Sequence, residues 1–471
     1  MARLKPAWWG GRAHITYTIV VFVVLASLDN AAIALIPAMV LPIAEALHTS
    51  EQALAFLTGA TILVTAVTAV FWGYWGDRSD RKRLLFYGTL IWVVGSLLSA
   101  SATTYWQLFL WQLFTAVGLG SIASVGFSVV SDLVRPARRG LAMSFWGISQ
   151  GLGAIAGGLM ASQVGADGFR TAFVVIAVTG FAFALAYLAA YDVPRGFREP
   201  ELADMEGTYD YTISRADLTA LRRIATNRWL VLQGLFAQVA YGSLIWVPLL
   251  YQEKAIAQGY STATGTKVGG LYATLITVGA LASVVGGHLG DRWQRSDLSG
   301  RAKLSTIGIL GAIPFFLLFF FIPLRGLEVT DGASTLTLIG EVTSQLFTNP
   351  WVAATFLTGL IALALTSIDS PNWFALISDV NLPEHRGTIF GAGNLANGIG
   401  RSAGAALTGA VAGSLEQSVP PPFNWAIGLA AFQVFFLPTG YCYWKAGQTC
   451  PTDITSVRTT LRERAEATRP G

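Results

Sequence analysis

The stretch GYWGDRSDRKR, residues 73–83, decides the fold because it occurs twice in the chain. A second copy, GHLGDRWQR at residues 287–295, keeps the pattern Gly-x-x-Gly-Asp-Arg and a further Arg. Another pair, SDLVRPARRG at 131–140 and SDVNLPEHRG at 378–387, aligns without gaps and shares Ser, Asp, Pro, Arg and Gly. All four segments separate apolar runs, at matching places in the two halves of the chain. A repeat of this kind indicates a duplicated structural unit.

The composition places this duplicated chain in a membrane. Only 12% of its residues are Asp, Glu, Lys or Arg, whereas about 25% are charged in a typical soluble protein. Apolar residues make up 53% of the chain. By its length of 471 residues the chain could hold about three soluble domains. The composition excludes that class and predicts an integral membrane protein.

Twelve apolar runs are long enough to cross a bilayer as helices, which takes about 20 residues. These runs lie at 15–41, 53–75, 84–101, 106–130, 141–164, 171–191, 229–251, 268–290, 304–323, 352–378, 388–413 and 425–444. The stretch 325–351 is too polar to add another. The predicted fold class is all-α, with twelve transmembrane helices in two pseudo-symmetric six-helix bundles.

Basic residues predict the orientation of these spans. If the loops alternate between the two sides, the side with both chain ends carries 26 of the 31 Lys and Arg. By the positive-inside rule, both termini are then cytoplasmic in a multi-pass inner-membrane protein. The predicted parts are an N-terminal bundle at 1–192, a cytoplasmic linker at 193–227, a C-terminal bundle at 228–446 and a cytoplasmic tail at 447–471.

The motif at 73–83 resembles the cytoplasmic signature between helices two and three of the major facilitator superfamily, a glycine, then Gly-Asp-Arg, then a basic cluster. The resemblance covers essentially the whole chain, including the twelve spans, the linker and both repeats. In that family the cluster acts as a latch that holds the cytoplasmic side closed and releases during the cycle. The resemblance therefore implies one latch in each half, and it assigns to them Gly73, Asp77, Arg81, Asp132, Arg139, Asp291, Arg295, Asp379 and Arg386.

Three charged residues lie inside the spans. Asp29 falls about 14 residues into span one, roughly 21 Å along the helix. Asp369 lies near the middle of span ten, and Arg401 lies in span eleven. At the repeat offset, Asp369 and Arg401 correspond to the uncharged Ile122 and Ala154, so neither belongs to the duplicated pattern. Ionisable groups inside a membrane are costly and functional by default.

In the resembled family, helices one, four, seven and ten line a central cavity. The predicted substrate-cavity residues are Asn30, Gln238, Tyr241, Asp369, Asn372, Trp373, Asn397 and Arg401. Other readings stay open at this point. Asp29 could be a packing residue satisfied by neighbouring hydroxyls, and Asp369 could satisfy backbone groups freed by Pro371. Arg401 could be an ion partner of one aspartate, and the two aromatic residues could be core or lipid-facing.

Asp29 is the predicted proton-coupling residue. One arginine and two aspartates leave an excess negative charge, and an unpaired carboxylate in low-dielectric surroundings is stabilised by taking up a proton. A carboxylate that loads and unloads a proton can couple transport to a proton gradient. The LDN pattern that precedes Pro37 also resembles helix one of multidrug-type exporters, and the chain is further similar to spinster-like lipid carriers.

The predicted function is secondary active transport of a small organic, lipophilic or cationic substrate by alternating access, as a proton-coupled antiporter in efflux. A spinster-like lysolipid carrier and an uncoupled facilitator stay open as alternatives. The sequence contains no Gly-x-x-x-x-Gly-Lys-Ser/Thr phosphate loop, which disfavours ATP as the energy source. The histidines are scattered along the chain and are not spaced as metal ligands, which disfavours an integral-membrane enzyme. We expect no metal, no cofactor and no nucleic acid; the expected partners are substrate, protons and the lipid bilayer, and the expected state is a monomer.

Overall fold

The computed structural model describes residues 11–76, 79–126, 129, 139–166, 168–192, 223–382 and 385–467. Helices joined by short turns make up this part of the chain, and it includes no strand. Within it, ten helices are long and apolar enough to cross a membrane. Two more helices, Arg139–Val164 and Arg386–Leu415, are 26 and 30 residues long and occupy the places predicted for spans five and eleven. The predicted twelve-helix fold class is confirmed.

The chain divides into two compact units, Met1–Tyr211 and Thr212–Gly471. Spans one to six belong to the first and lie at Arg12–Ala38, Glu51–Gly76, Arg81–Ala100, Tyr105–Ser121, Arg139–Val164 and Phe169–Leu188. A short helix at Val40–Leu47 follows span one, and span four continues as a π-helix at Ile122–Gly126. Asp80 begins span three by accepting hydrogen bonds from two backbone amides of its first turn, which have no partner within the helix.

The second unit contains six further spans, and most of them change geometry part-way. Span seven lies at Ala225–Ser243, Leu244–Trp246 and Val247–Ile256; span eight at Thr262–Ile276, Thr277–Leu281 and Ala282–Ser296; span nine at Gly300–Phe321; span ten at Pro350–Ser367 and Asp369–Asp379; span eleven at Arg386–Leu415; and span twelve at Phe423–Gln433 and Phe436–Ala467. Irregular backbone at membrane depth is tolerated where protein surrounds it.

The polar stretch 325–351 contains a further helix that the apolar pattern did not indicate. This helix, here named the outer helix, runs from Thr335 to Thr348 and is 14 residues long. It is shorter than the roughly 20 residues that cross a bilayer. It packs against the first segments of spans eight and ten.

Span ten divides immediately before Asp369. Its first segment ends at Ser367 and its second begins at Asp369, so that Pro371 lies in the first turn of the second segment. Proline is tolerated in a first turn because the amides there have no partner within the helix, and in a helix interior it removes a hydrogen bond. Pro371 therefore explains why a new helical segment begins at this depth, as its position in the sequence suggested.

In each unit, small residues allow two spans of that same unit to pack closely together. Spans one and five meet where a side chain at Gly157 would overlap the backbone of Ala31. Spans seven and eleven meet where a side chain at Gly242 would overlap the backbone of Arg401. Within lipid, such close approach favours helix association through van der Waals packing. Glycine-mediated packing of two spans occurs in both units, which agrees with the duplication seen in the sequence.

The predicted division into bundle, linker, bundle and tail remains a prediction. The linker falls mostly on residues 193–222, which lie outside the described part of the chain. Span seven begins at Ala225, inside the predicted linker. The last helix continues without a break from span twelve through most of the predicted tail and ends at Ala467.

Candidate functional site

Asp29 is buried in span one, with 3% of its surface exposed. Within the described part of the chain, neither of its carboxylate oxygens has a hydrogen-bond partner. The nearest hydroxyl in sequence, that of Ser27, donates instead to the carbonyl oxygens of Val23 and Ser149, at 2.8 and 2.9 Å. Asn30 donates to the carbonyl of Ala26, at 3.0 Å, within its own helix. An ionised carboxylate without a partner costs several kcal/mol in a low-dielectric interior, so a neutral carboxyl group suits this site better.

The packing of span one turns Asp29 away from span five. Ser27 and Ala31 are the residues that span five contacts most closely, through Gly153 and Gly157. Each residue advances about 100° around a helix, so Asp29 lies roughly 160–200° from both of them. Its side chain therefore takes no part in the closest helix contact of span one, which argues against a packing role at that contact.

Asp369 has a different environment, because other side chains donate to it. The Tyr443 hydroxyl of span twelve donates to its Oδ1, and Nε2 of Gln233 in span seven donates to its Oδ2 at 3.4 Å. The hydroxyl of Tyr241 in span seven donates to the carbonyl oxygen of Thr366, three residues before Asp369 in span ten, at 3.2 Å. Asp369 thus joins spans seven, ten and twelve at the point where span ten divides. We name this group the Asp369 joint.

Two members of the Asp369 joint, Gln233 and Tyr443, were not among the residues singled out from the sequence. Both side chains are buried, and Oε1 of Gln233 has no hydrogen-bond partner among the described residues. A signal for Gln233 existed, since it is a polar residue two turns before Tyr241 in the same apolar span. For Tyr443 no local signal distinguishes it from the other aromatic residues at the end of span twelve.

Arg401 is not the ion partner of Asp369. It is half-buried in span eleven, and no carboxylate in the described part of the chain lies within ion-pair distance of it. The structure therefore does not support an ion pair as the reason for a charge at this position. Arg401 remains a candidate for contact with a substrate.

Gln238 and Asn397 lie where spans seven and eleven meet. A side chain at Gly400 would come within 3.1 Å of the Cβ of Gln238. With the side-chain amide of Asn397 oriented so that its oxygen faces donors and its nitrogen faces acceptors, the nitrogen donates to the carbonyl oxygens of Gly234 and Gly393, at 3.3 and 3.2 Å. Both residues therefore contribute to helix packing in this structure, whatever further contacts they make in another state.

Asn372 and Trp373 turn toward different neighbours although they are adjacent in span ten. Asn372 donates to the carbonyl oxygens of Ile368 and, in span eight, Gly286, at 2.8 and 3.4 Å. Trp373 donates to the carbonyl of Leu230 in span seven, at 3.1 Å, and is buried in an apolar cluster. The environment of Trp373 is that of a core residue, one of the two roles left open for it.

In the second unit, two of the carboxylates predicted for the latch, Asp291 and Asp379, share one basic partner. Arg301, at the start of span nine, pairs with Asp291 at 2.7 Å and also with Asp379. Its backbone amide donates to Oε1 of Gln294 at 3.1 Å, which holds the start of span nine against the end of span eight. Arg295, the basic residue expected from the motif, lies exposed on the last turn of span eight. Arg301 is thus the basic residue between the two carboxylates.

The corresponding region of the first unit is described in part. A Cβ at Gly73 would lie 3.6 Å from that of Ser124, and one at Gly76 would lie 2.9 Å from a methyl group of Val125. Span two therefore packs closely on the π-helical end of span four, and Arg81 is buried at the start of span three. Among the other predicted latch residues, those that lie outside the described residues, wholly or by their side chains, are Asp77, Asp132, Arg139 and Arg386.

The turn between spans eight and nine, next to Arg301, contains a second ion pair. Nζ of Lys303 lies 2.6 Å from Oδ2 of Asp297, and the hydroxyl and the amide of Ser299 donate to Oδ1 at 2.6 and 2.9 Å. The hydrogen bond from Lys303, followed by those from Ser299, lowers the pKa of Asp297 to about 2. Asp297 is therefore ionised throughout the physiological range.

Two further sets of hydrogen bonds, which the sequence motifs did not predict, connect helices at the same end of the second unit. Asn227 and Asn381 exchange two side-chain hydrogen bonds of 2.7 Å between spans seven and ten. Asp453, on the extension of span twelve, accepts hydrogen bonds from the amide and the hydroxyl of Thr226, at 3.1 and 2.6 Å. A carboxylate at a helix N-terminus is stabilised by the helix dipole. These hydrogen bonds connect spans seven, ten and twelve near their ends, and the Asp369 joint connects them deeper in.

Comparison with known proteins assigns the chain to a family. The sequence model of the Major Facilitator Superfamily matches residues 19–405. The chain belongs to this superfamily. A solved structure of a bacterial homologue of the human lysosomal transporter Spinster, inward-facing and unoccupied, has a TM-score of 0.71 at 17% sequence identity. It covers 94% of this chain and 99% of its own. At this identity the likeness shows the fold.

Relatives with curated names match parts of the chain. Protein spinster homolog 3 of Mus musculus is 29% identical over 204 residues, which are 42% of this chain and 38% of that protein. Citrate exporter 1 of Aspergillus niger is 26% identical over 132 residues, which are 27% of this chain and 24% of that protein. The chain thus spans less than two fifths of the length of either relative. As a member of the superfamily it is a multi-pass membrane protein with the fold of the transporters it resembles.

A metal site has no support from the geometry. Among the residues that the structure describes, no three of His, Cys, Asp or Glu lie close enough together to hold an ion. Each unit thus contains a candidate carboxylate of its own, Asp29 in the first unit and Asp369 in the second.

Proposed function

We propose that this member of the major facilitator superfamily is a proton-coupled secondary transporter that works by alternating access and binds the coupling proton at Asp29. The single observation that supports the proposal best is that this carboxylate is buried in span one and has no hydrogen-bond partner among the described residues. The proposal includes an inner-membrane location, cytoplasmic termini and a monomeric state.

A proton is the ligand that this environment favours. A neutral carboxyl group has a much lower desolvation cost than a carboxylate, so Asp29 is stable in its buried state when it carries a proton. When the site opens to water the carboxylate is solvated and the proton can leave. Alternation between these two environments links proton movement to the transport cycle.

We propose a lipophilic or cationic organic molecule as substrate. The Asp369 joint contributes a negative charge with no cationic side chain in ion-pair contact among the described residues. Two aromatic residues belong to the joint: the hydroxyl of Tyr443 donates to Asp369, and that of Tyr241 donates to the carbonyl oxygen of Thr366. A cation near such a carboxylate replaces neutral donors with an opposite charge, and aromatic faces attract cations further. Arg401 is half-buried and has no ion pair with another described residue, so it is the residue that an acidic group on the substrate would meet.

The test is substrate-driven proton movement in proteoliposomes under an imposed pH gradient. The substrate panel contains lipophilic cations, zwitterions and lysolipids, and the proteins are the wild type, Asp29→Asn and Glu45→Gln. Glu45 is an exposed carboxylate beyond the end of span one and serves as the matched control.

We expect substrate-dependent proton flux in the wild type and in Glu45→Gln, and its loss in Asp29→Asn with substrate binding retained. Transport that proceeds equally in all three proteins and ignores the gradient would identify a facilitator and contradict the assignment of Asp29. Transport of lysolipids without transport of cations would overturn the proposed substrate class and leave the proton assignment intact.

A further inference from the structure

The outer helix, Thr335–Thr348, exposes large apolar side chains. Leu336 is 82% exposed and Phe347 is 87% exposed. These two residues are eleven positions apart, about three helical turns, and so lie on the same face. Ile339 extends this face to one side. These three residues, here named the apolar stripe, lie on one side of the helix, and Gly340 and Thr343 lie between them on that side.

The other sides of the outer helix are a buried apolar side and a polar side. Leu338 and Val342 are buried on the side that packs against spans eight and ten. Glu341 is the one charged residue in the sequence of this helix, and its carboxylate accepts hydrogen bonds of 2.7 and 2.8 Å from Thr330. The charge thus lies away from the stripe of Leu336, Ile339 and Phe347. A helix with one buried side, one polar flank and one exposed apolar flank has the pattern of a membrane-surface helix.

The position of the outer helix supports the same reading. A single residue, Asn349, separates it from span ten, which begins at Pro350. The Asn349 side chain accepts hydrogen bonds from two amides of the first turn of span ten and donates to the carbonyl oxygens of Arg325 and Gly326, at 3.0 and 2.6 Å. The helix is therefore held at the level where a transmembrane span begins.

An aromatic residue and a cation mark this level as the edge of the bilayer. Trp351 lies on the first turn of span ten and is partly exposed, and the guanidinium of Arg325 lies 5.3 Å from the centre of its ring. Tryptophan is enriched at membrane–water interfaces, and a guanidinium beside it can bind a phosphate.

Span nine, which ends at Phe321 four residues before Arg325, also exposes apolar side chains near its end. An open apolar groove of about 630 Å³ runs along its end, and it is lined by Pro314, Leu317, Leu318, Phe321, Ile322 and Pro323. The groove ends two residues before Arg325. An acyl chain in the groove would therefore place its headgroup close to the guanidinium.

We infer that the outer helix lies in the headgroup region of the bilayer, on the side opposite to the chain termini, and that phospholipid is the partner of its apolar stripe. Leu336, Ile339 and Phe347 insert below the phosphates, and Arg325 binds a phosphate above the groove. The outer helix is then an interfacial anchor for the start of span ten. This inference is independent of the proposed substrate and of Asp29.

The experiment measures the depth of two adjacent positions on the outer helix. Phe347→Cys and Thr348→Cys are labelled separately with a small fluorophore and reconstituted in phosphatidylcholine vesicles. Thr348 is also exposed but lies about 100° around the helix, off the apolar stripe, so it is a matched control. Both native cysteines, Cys442 and Cys450, are buried. Two quenchers are compared, a nitroxide at carbon five of the acyl chain and aqueous iodide.

We expect lipid quenching to exceed iodide quenching at position 347 by about threefold or more, and the reverse order at position 348. Iodide quenching at position 347 equal to that at 348 would overturn the inference, because the stripe would then face water. Protection of position 347 from both quenchers would overturn it as well, since protein, a second copy included, would then cover the stripe. Labelling at Leu336→Cys repeats the measurement at the other end of the stripe, so one damaged variant does not decide the outcome.

Discussion

Replacing Arg301 with glutamine measures how much its ion pairs with Asp291 and Asp379 contribute to stability. The side chain of Arg301 is 14% exposed, and those of its partners Asp379 and Asp291 are 34% and 55% exposed. A hydrogen bond to a charged group in a partly buried site contributes about 1.5–3 kcal/mol, and an exposed ion pair about 0.2–1 kcal/mol. We therefore assign the larger value to the pair with Asp379. Together the two pairs amount to about 2–4 kcal/mol.

The assay is hydrogen exchange of the segments that these ion pairs connect, residues 291–301 and 376–382. A loss of about 2–4 kcal/mol accelerates exchange through local opening by roughly 30-fold to several hundred-fold. Lys303→Gln is the matched control, because its pair with Asp297 lies in the same turn but has side chains that are 53% and 35% exposed. We expect at most about a fivefold change in that variant.

Unchanged exchange in Arg301→Gln would refute the reasoning, and so would equal acceleration in the Lys303 variant. A double substitution checks the partner: Arg301→Gln combined with Asp379→Asn is expected to add little to the single change if the pair is the source of the stability. Full additivity would show that the two residues act separately.

Two further predictions concern a buried tyrosine and an exposed carboxylate. Tyr443→Phe removes a hydrogen bond to the buried Asp369 and is expected to destabilise the Asp369 joint by about 1.5–3 kcal/mol, measured by hydrogen exchange of residues 366–376. Tyr441→Phe, which removes the hydroxyl of a half-exposed tyrosine, is expected to have no effect on this exchange. Equal effects of the two substitutions would exclude the hydrogen bond as the cause. The second prediction is that the stability contributed by Asp297 is constant from pH 5 to 9. Its pKa in the folded protein, about 2, lies below the ordinary value. The contribution is therefore present above the ordinary pKa and is lost as the pH falls through about 2. Lys303→Gln is expected to raise the pKa of Asp297 in the folded protein, so that the loss is complete at a higher pH, as NMR titration of the carboxylate would show.

The sequence and the structure agree best where the signal is local. Hydropathy along a run of about 20 residues reports how that run behaves in lipid, whatever its neighbours are, and this is why the twelve helices were predictable. The division of span ten was foreseeable for a similar reason, because Pro371 restricts its own helix. The superfamily was also predictable, since its motif lies within eleven consecutive residues, Gly73 to Arg83.

Side-chain partners were less predictable because they depend on the packing of distant segments. The latch motif pointed to Arg295, whereas the turn at Asp297–Ser299 brings Arg301 back onto Asp291 and Asp379. A turn can bring a side chain from outside a motif to the position that the motif predicts for one of its own residues. The sequence of the motif does not include that turn, so it could not predict the exchange.

By itself the sequence determined that the chain is a duplicated, twelve-helix membrane protein with carboxylates at Asp29 and Asp369. Only the tertiary structure decided how the two carboxylates differ. Asp369 receives donors from residues 74 and 136 positions away, Tyr443 and Gln233, and Asp29 receives none among the described residues. The physical reason is that hydropathy acts on each segment separately, whereas the hydrogen bonds of a buried carboxylate depend on which other helices reach it.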